Sequence, residues 1–135
     1  MGLEENKAVV RRYIEQVVNR HDIGALDALV SPDIKLSPVM PGRAAGIAGH
    51  RELLRALFTG FPDIRLDVIA MVAEHDQVLF TWTAELTHTG PFAGLAPTGK
   101  SHKPTGADYV RVADGKIAEL SIYSNLGHLL GLPAA

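Results

Sequence analysis

The chain has no cysteine among its 135 residues. That excludes disulfide staples and thiolate chemistry, and it fits a reducing interior, so the expected location is cytoplasmic. A basic surplus is missing too: 13 Lys and Arg stand against 15 Asp and Glu, for a net charge of -2. The charges are scattered and offer a polyanion no patch, so nucleic acid is not an expected partner. No long apolar run occurs. The longest, Val68 to Ala73, is far too short to cross a bilayer, and no membrane is expected as a partner. The opening Met1-Gly2-Leu3-Glu4-Glu5-Asn6-Lys7 lacks the basic and apolar regions of a secretory leader. Asn6 stands where a myristoylation pattern requires Ser or Thr. The six histidines are dispersed, with no pair at ligand spacing, and no metal is expected. Nor is there a Gly-x-Gly-x-x-Gly loop, a Walker loop or a nucleophile elbow, so no cofactor is expected either.

What is present reads as one domain over 1–135. The hydrophobic content of 47% is ordinary for a globular fold. Val9, Val10, Tyr13, Ile14, Val17 and Val18 recur at three- and four-residue steps, so Glu4 to Arg20 reads as an amphipathic helix. Asp22 is placed to cap a second, short helix through Leu29, ended by Ser31-Pro32. A short strand is expected over Ile34 to Ser37. Pro38, Pro41, Gly42 and Gly46 then make an irregular loop, with Ser37 and Met40 as rim residues. A third helix runs from Ile47 to Phe58, and Gly60-Phe61-Pro62-Asp63 breaks it.

From Ile64 the period becomes two. One strand ends at the Glu74-His75-Asp76 turn, and a second runs from Val78 to His88. Phe80, Trp82, Ala84, Leu86 and His88 share its apolar face. After a Gly/Pro loop, Lys100 to Val112 forms a strand interrupted near Pro104. A tight reversal at Ala113-Asp114-Gly115-Lys116 leads into a last strand, Ile117 to Ser124, then a short terminal helix. Helices gathered before a run of antiparallel strands indicate α+β. Three helices can cover one face of a curved sheet, and the space between is a natural ligand cavity.

Within that sheet, Asp108 shares the parity of Val110 and Val112. If those face inward, so does Asp108. A carboxylate in an apolar wall has a raised pKa and serves as an acid or base near neutral pH. The competing reading is a partner to Arg111 or a strand-edge acid facing water. His88 could orient Asp108, polarise a carbonyl, or simply bond the Thr89-Gly90 turn. Asn125 could donate to a developing oxyanion or cap the terminal helix. Tyr123 and Ser121 share the odd-numbered face of the last strand with Asn125, and the Tyr123 hydroxyl is a candidate proton donor. Leu120 and Ile122 are expected on the outward face, where a second copy could pack. His21, His50, His75, His102 and His128 read as exposed.

Thr87-His88-Thr89-Gly90, Phe92-Ala93-Gly94, Pro97-Thr98-Gly99-Lys100 and Asp114-Gly115-Lys116-Ile117-Ala118-Glu119 occur in the order and spacing of the SnoaL-like polyketide cyclase (ester cyclase) family. Phe61-Pro62-Asp63 also resembles that family's segment after its third helix, and the resemblance covers nearly the whole chain. It implies a nuclear transport factor two-like cone: a curved antiparallel sheet with three N-terminal helices enclosing a pocket. The same fold hosts isomerases, dehydratases and epoxide hydrolases, so it does not choose the reaction.

The resembled cyclases close a ring by intramolecular aldol condensation, without metal or cofactor. Their acidic residue follows a Trp-x-x-x-Asp pattern that falls here on Ser121 and Asn125, and both positions have departed from it. The family's other polar pocket position, a His in the best-known cyclase, falls on Asp108. The resemblance thus implies that the carboxylate has moved across the cavity. The expected activity is general acid/base cyclisation or isomerisation of a polyketide-like or other apolar carbonyl substrate. Asp108, His88 and Asn125 are the catalytic candidates. Trp82, Tyr123, Phe80, Ser37, Met40 and Ser121 are the substrate-binding ones. The alternatives are a silent binding protein for a small apolar ligand and an epoxide-opening hydrolase or cyclase. A homodimer is expected in either case.

Overall fold

The computed structural model describes residues 2–38 and 42–132, so Met40 lies outside the described residues. Helix α1 (Leu3–Arg12) continues into a wider, π-type stretch, Tyr13–Asn19. Its single apolar stripe buries Val9, Val10, Tyr13, Ile14 and Val17. A short 3-10 turn (Ile23–Ala25) leads into α2 (Leu26–Leu29). Asp22 occupies the cap position of that turn, but its side chain makes no cap bond. Strand β1 (Val30–Ser37), helix α3 (Gly46–Gly60), strands β2 (Arg65–Glu74) and β3 (Gln77–Thr87), the two-residue β4 (Ser101–His102), strands β5 (Thr105–Ala113) and β6 (Lys116–Ser124), and α4 (Leu126–Leu129) follow.

The main sheet runs β1-β6-β5-β3-β2, with β4 added to β3. All pairs are antiparallel except β1 with β6, which is parallel. The sheet is therefore mixed, whereas the period-two pattern implied a wholly antiparallel one. Strand β1 also starts four residues earlier than expected and contains Pro32. An edge strand has a free side where a missing N–H costs no ladder bond. The β5–β6 reversal is tight because Asp114 and Gly115 both take positive φ, 51° and 75°. Such backbone matches the twist of a two-residue hairpin, and glycine reaches it without strain.

Bulges fall between Val68 and Ala70 on β2, and at Arg111/Val112 against β6. Each adds local bend to the sheet. One face packs on the helices. Val78, Phe80, Trp82 and Ala84 of β3, Val110 and Val112 of β5, and Ile117 and Leu120 of β6 form one core with the α1 stripe and Leu54. Residues directly opposite on antiparallel strands share a face. Asp108 pairs with Ile122, and Val110 with Leu120, so Leu120 and Ile122 face inward with Asp108. This corrects the expectation that they face outward. The bulge at Arg111/Val112 removes the simple parity count that led there.

Candidate functional site

Asp108 lies on the helix-covered face of β5, directly opposite Phe80 of β3. Trp82, one inward position further along, donates its Nε1–H to Asp108 Oδ1 at 2.9 Å. The indole reaches that position because Gly106 lies opposite it. A Cβ on Gly106 would come within 2.6 Å of the ring, so glycine makes room for the Trp82–Asp108 bond. Burial pushes the Asp108 carboxyl up to about 6, against a smaller opposing pull from the Trp82 hydrogen bond. Asp108 thus exchanges a proton in the range useful to an acid or base. Its second oxygen has no hydrogen-bond partner among the described residues. The alternative pairing with Arg111 is not what forms: Arg111 faces outward and bridges Glu119 at 3.2 Å.

Two residues that sequence reasoning passed over complete the cluster. The Tyr13 hydroxyl, from the helical face, lies 2.7 Å from His50 Nε2, and the two rings stack with centroids 5.8 Å apart. Burial, and then the charge of Asp108, hold the Tyr13 phenol well above its ordinary pKa, so it stays protonated. His50 was expected to be exposed. It is buried, with 1% of its surface accessible, and burial pushes its pKa down to about 4, so the ring is neutral. The sequence did carry a signal. Leu54 and Leu57 stand four and seven residues on from His50, the spacing of one helical face. Asp108 keeps 8%, Trp82 6% and Tyr13 5% of their surfaces accessible. Each is a core residue with only a thin edge in contact with solvent. Two clefts of about 180 and 230 Å³ open elsewhere, at Asn6/His75/Asp76 and at Val72/Leu79/Tyr109.

Phe80 and Trp82 thus stand beside Asp108, and the remaining candidates among the described residues do not. His88 is fully buried, but it lies eight residues along from Phe80, a path of roughly 25 Å of strand. It cannot orient Asp108. Its Nδ1 sits 3.3 Å from the Thr98 hydroxyl, its backbone pairs with Gly99 and Lys100, and its ring packs on Phe61 at 5.4 Å. Asn125 is exposed. Its Oδ1 accepts from Thr105 N–H at 2.9 Å. It occupies the cap position of α4 without a side-chain cap bond, so neither of its expected roles describes that contact. Ser121 pairs with Tyr109, and Tyr123 with Ala107, which puts both on the face of the sheet opposite Asp108. Tyr123 is 63% exposed there. Ser37 is exposed at the end of β1, paired with Ser121.

The fold agrees with the known proteins the chain matches. A family model described as SnoaL-like polyketide cyclase matches residues 8–130, and the chain belongs to that family. AclR from Streptomyces galilaeus, described as a candidate hydroxylase, is 30% identical with a TM-score of 0.80, covering 99% of this chain and 90% of its own. A candidate polyketide cyclase from Acidithiobacillus ferrooxidans is 26% identical with a TM-score of 0.80, over 95% of this chain and 94% of its own. IdmH from Streptomyces antibioticus, a candidate polyketide cyclase, is 25% identical with a TM-score of 0.78, over 93% and 96%. No curated protein matched the sequence.

Proposed function

We propose that this chain is a cofactor-independent cyclase or isomerase that acts on a polyketide-like or other apolar carbonyl substrate. Asp108 takes a proton from the carbon beside the carbonyl and returns it after ring closure or double-bond shift. Trp82 holds the carboxyl in place, and Phe80 and Trp82 supply the apolar wall. The observation that carries this reading is an inward carboxyl, the only buried one among the described residues, pushed up to about 6 by burial, with one oxygen unpartnered among those residues. Relatives described as candidate cyclases support the substrate class. The candidate hydroxylase on the same scaffold means that the reaction itself must be read from the site.

The test is Asp108→Asn against a panel of polyketide-like β-keto esters followed by mass spectrometry. Turnover should fall by roughly 10²–10⁴-fold, the usual weight of a general acid/base group, with the fold intact by circular dichroism. Unchanged turnover would remove Asp108 from the chemistry.

A second reading, a binding protein for a small apolar ligand, draws on the Trp82 bond. Asp108 already has one partner without substrate, and Asn125 carries no carboxylate. Ligand recovered unchanged from the whole panel would favour it. A homodimer through the outer sheet face fits either reading, since Val72, Leu79 and Tyr123 are exposed there. Light scattering at micromolar concentration would detect it, and a clean monomer would count against it.

A further inference from the structure

The Tyr13–His50 pair leaves one buried donor without an acceptor. Tyr13 Oη meets only His50 Nε2 among the described residues, at 2.7 Å, and His50 Nδ1 is buried with no partner. Two arrangements of the protons are open to a neutral ring. If Nε2 carries the proton, it donates to the phenol oxygen. The Tyr13 O–H then has no acceptor, and the Nδ1 lone pair is empty-handed as well. If Tyr13 donates to Nε2, the phenol is satisfied and Nδ1 carries the proton. Only one group is then unmet, an N–H donor. Leaving fewer buried polar groups unpaired costs less, so the second arrangement is the stable one.

A buried N–H donor kept without an acceptor disfavours the empty protein, and a ligand oxygen relieves that cost. Tyr13 packs in one core with Phe80 and Trp82, which flank Asp108, and the charge of Asp108 acts on Tyr13. Proton abstraction beside a carbonyl builds negative charge on the carbonyl oxygen, which a preorganised neutral donor stabilises. A neutral imidazole can serve as that electrophile.

We propose that His50 is a catalytic residue whose Nδ1–H binds the substrate's carbonyl oxygen and its enolate, with Tyr13 as the positioning residue that fixes the ring's tautomer. The proposal rests on the acid/base reading of Asp108 and assigns the oxyanion donor that this reading lacks. It replaces Asn125 and Tyr123 in that role. One is exposed and bonded to Thr105, and the other stands on the far face of the sheet.

The tautomer is read directly by long-range proton–nitrogen correlation NMR on ¹⁵N-labelled protein. His50 should be neutral from pH 5 to 8 with its proton on Nδ1. In Tyr13→Phe the two tautomers should mix, because the hydroxyl that selects one is gone. A phenol such as 1-naphthol stands in for the enolate. Its binding should shift the His50 Nδ1 resonance, and His50→Leu should weaken it about tenfold, the loss of one net hydrogen bond. A proton found on Nε2, or bound 1-naphthol that leaves Nδ1 unshifted, or an unchanged affinity in His50→Leu, would overturn the proposal. If His50→Leu does not fold, the tautomer and the resonance shift in the unaltered protein still decide. Asp108→Asn separates this proposal from the reading it rests on. Retained turnover there refutes the base and leaves the tautomer result standing, whereas an Nε2 proton refutes the donor and leaves the base.

Discussion

The two fully buried histidines, His50 and His88, have nearly the same local chemistry. Each has one ring nitrogen beside a hydroxyl and the other without a partner. Their hydroxyls come from different places. Thr98 belongs to the loop that follows His88, ten residues on, and the backbone of that loop pairs with His88 as well. Tyr13 is 37 residues from His50, on another helix, packed in the core with Phe80 and Trp82, the neighbours of Asp108. A polar contact within one loop fixes that loop. A polar contact across the interior holds separate elements together around whatever lies between them. The comparison teaches that burial and an unpaired nitrogen do not mark a functional histidine; the company it keeps across the fold does.

Substitution should separate the two regions sharply. Asp108→Asn is expected to lower turnover by roughly 10²–10⁴-fold. His88→Ala should leave turnover per folded molecule nearly unchanged while costing about 2–4 kcal/mol of stability from the cavity and lost contacts. Urea unfolding and active-site titration read the two effects separately. A His88→Ala enzyme that is stable but slow would break the distinction.

Next in size is a pH effect on stability. The Asp108 carboxyl is raised in the folded protein, so its contribution is full below the unfolded value near 3.8 and is lost as pH rises to about 6. His50 is depressed to about 4, so its contribution grows as pH rises from about 4 to 6.5. Each shift corresponds to about 3 kcal/mol, and the two slopes oppose one another. The unaltered protein should therefore show a nearly flat contribution from this cluster across pH 4–6. Asp108→Asn should unmask the His50 slope, losing about 3 kcal/mol on going from pH 6.5 to 4. A flat profile in the variant would mean that His50 takes a proton freely.

Smaller effects sharpen the picture of the carboxyl and its neighbours. Trp82→Phe removes the hydrogen bond that pulls the Asp108 pKa down, so the acid limb of kcat/KM should move to higher pH. An unmoved limb would mean that the bond does not act on the reacting group. Asn125→Ala should cost about 1 kcal/mol, one net hydrogen bond to Thr105, with little change in kcat.

The sequence made the helices and strands legible because each has one buried face and a period to match. The apolar stripe of α1 and the alternation of Phe80, Trp82 and Ala84 are examples. The parallel β1–β6 pairing was not legible, since strand pattern alone does not fix the partner. A bulge shifted the parity between β5 and β6, which sent Tyr123 and Ser121 to the wrong face. Asp108 could be read because its neighbours Val110 and Val112 share its face. His50 was legible only through the helical spacing to Leu54 and Leu57; its polar partner, Tyr13, is far away in the chain, and the adjacent Arg51 suggested a solvated turn.

The most direct measurement is the ionisation of Asp108 itself, followed by the ¹³C shift of its side-chain carboxyl across pH 3 to 8. A midpoint of about 6, moving further up in Trp82→Phe, is the expected result. A midpoint near that of an ordinary exposed aspartate, unaffected by the indole, would show a solvated acid with no interior proton to trade.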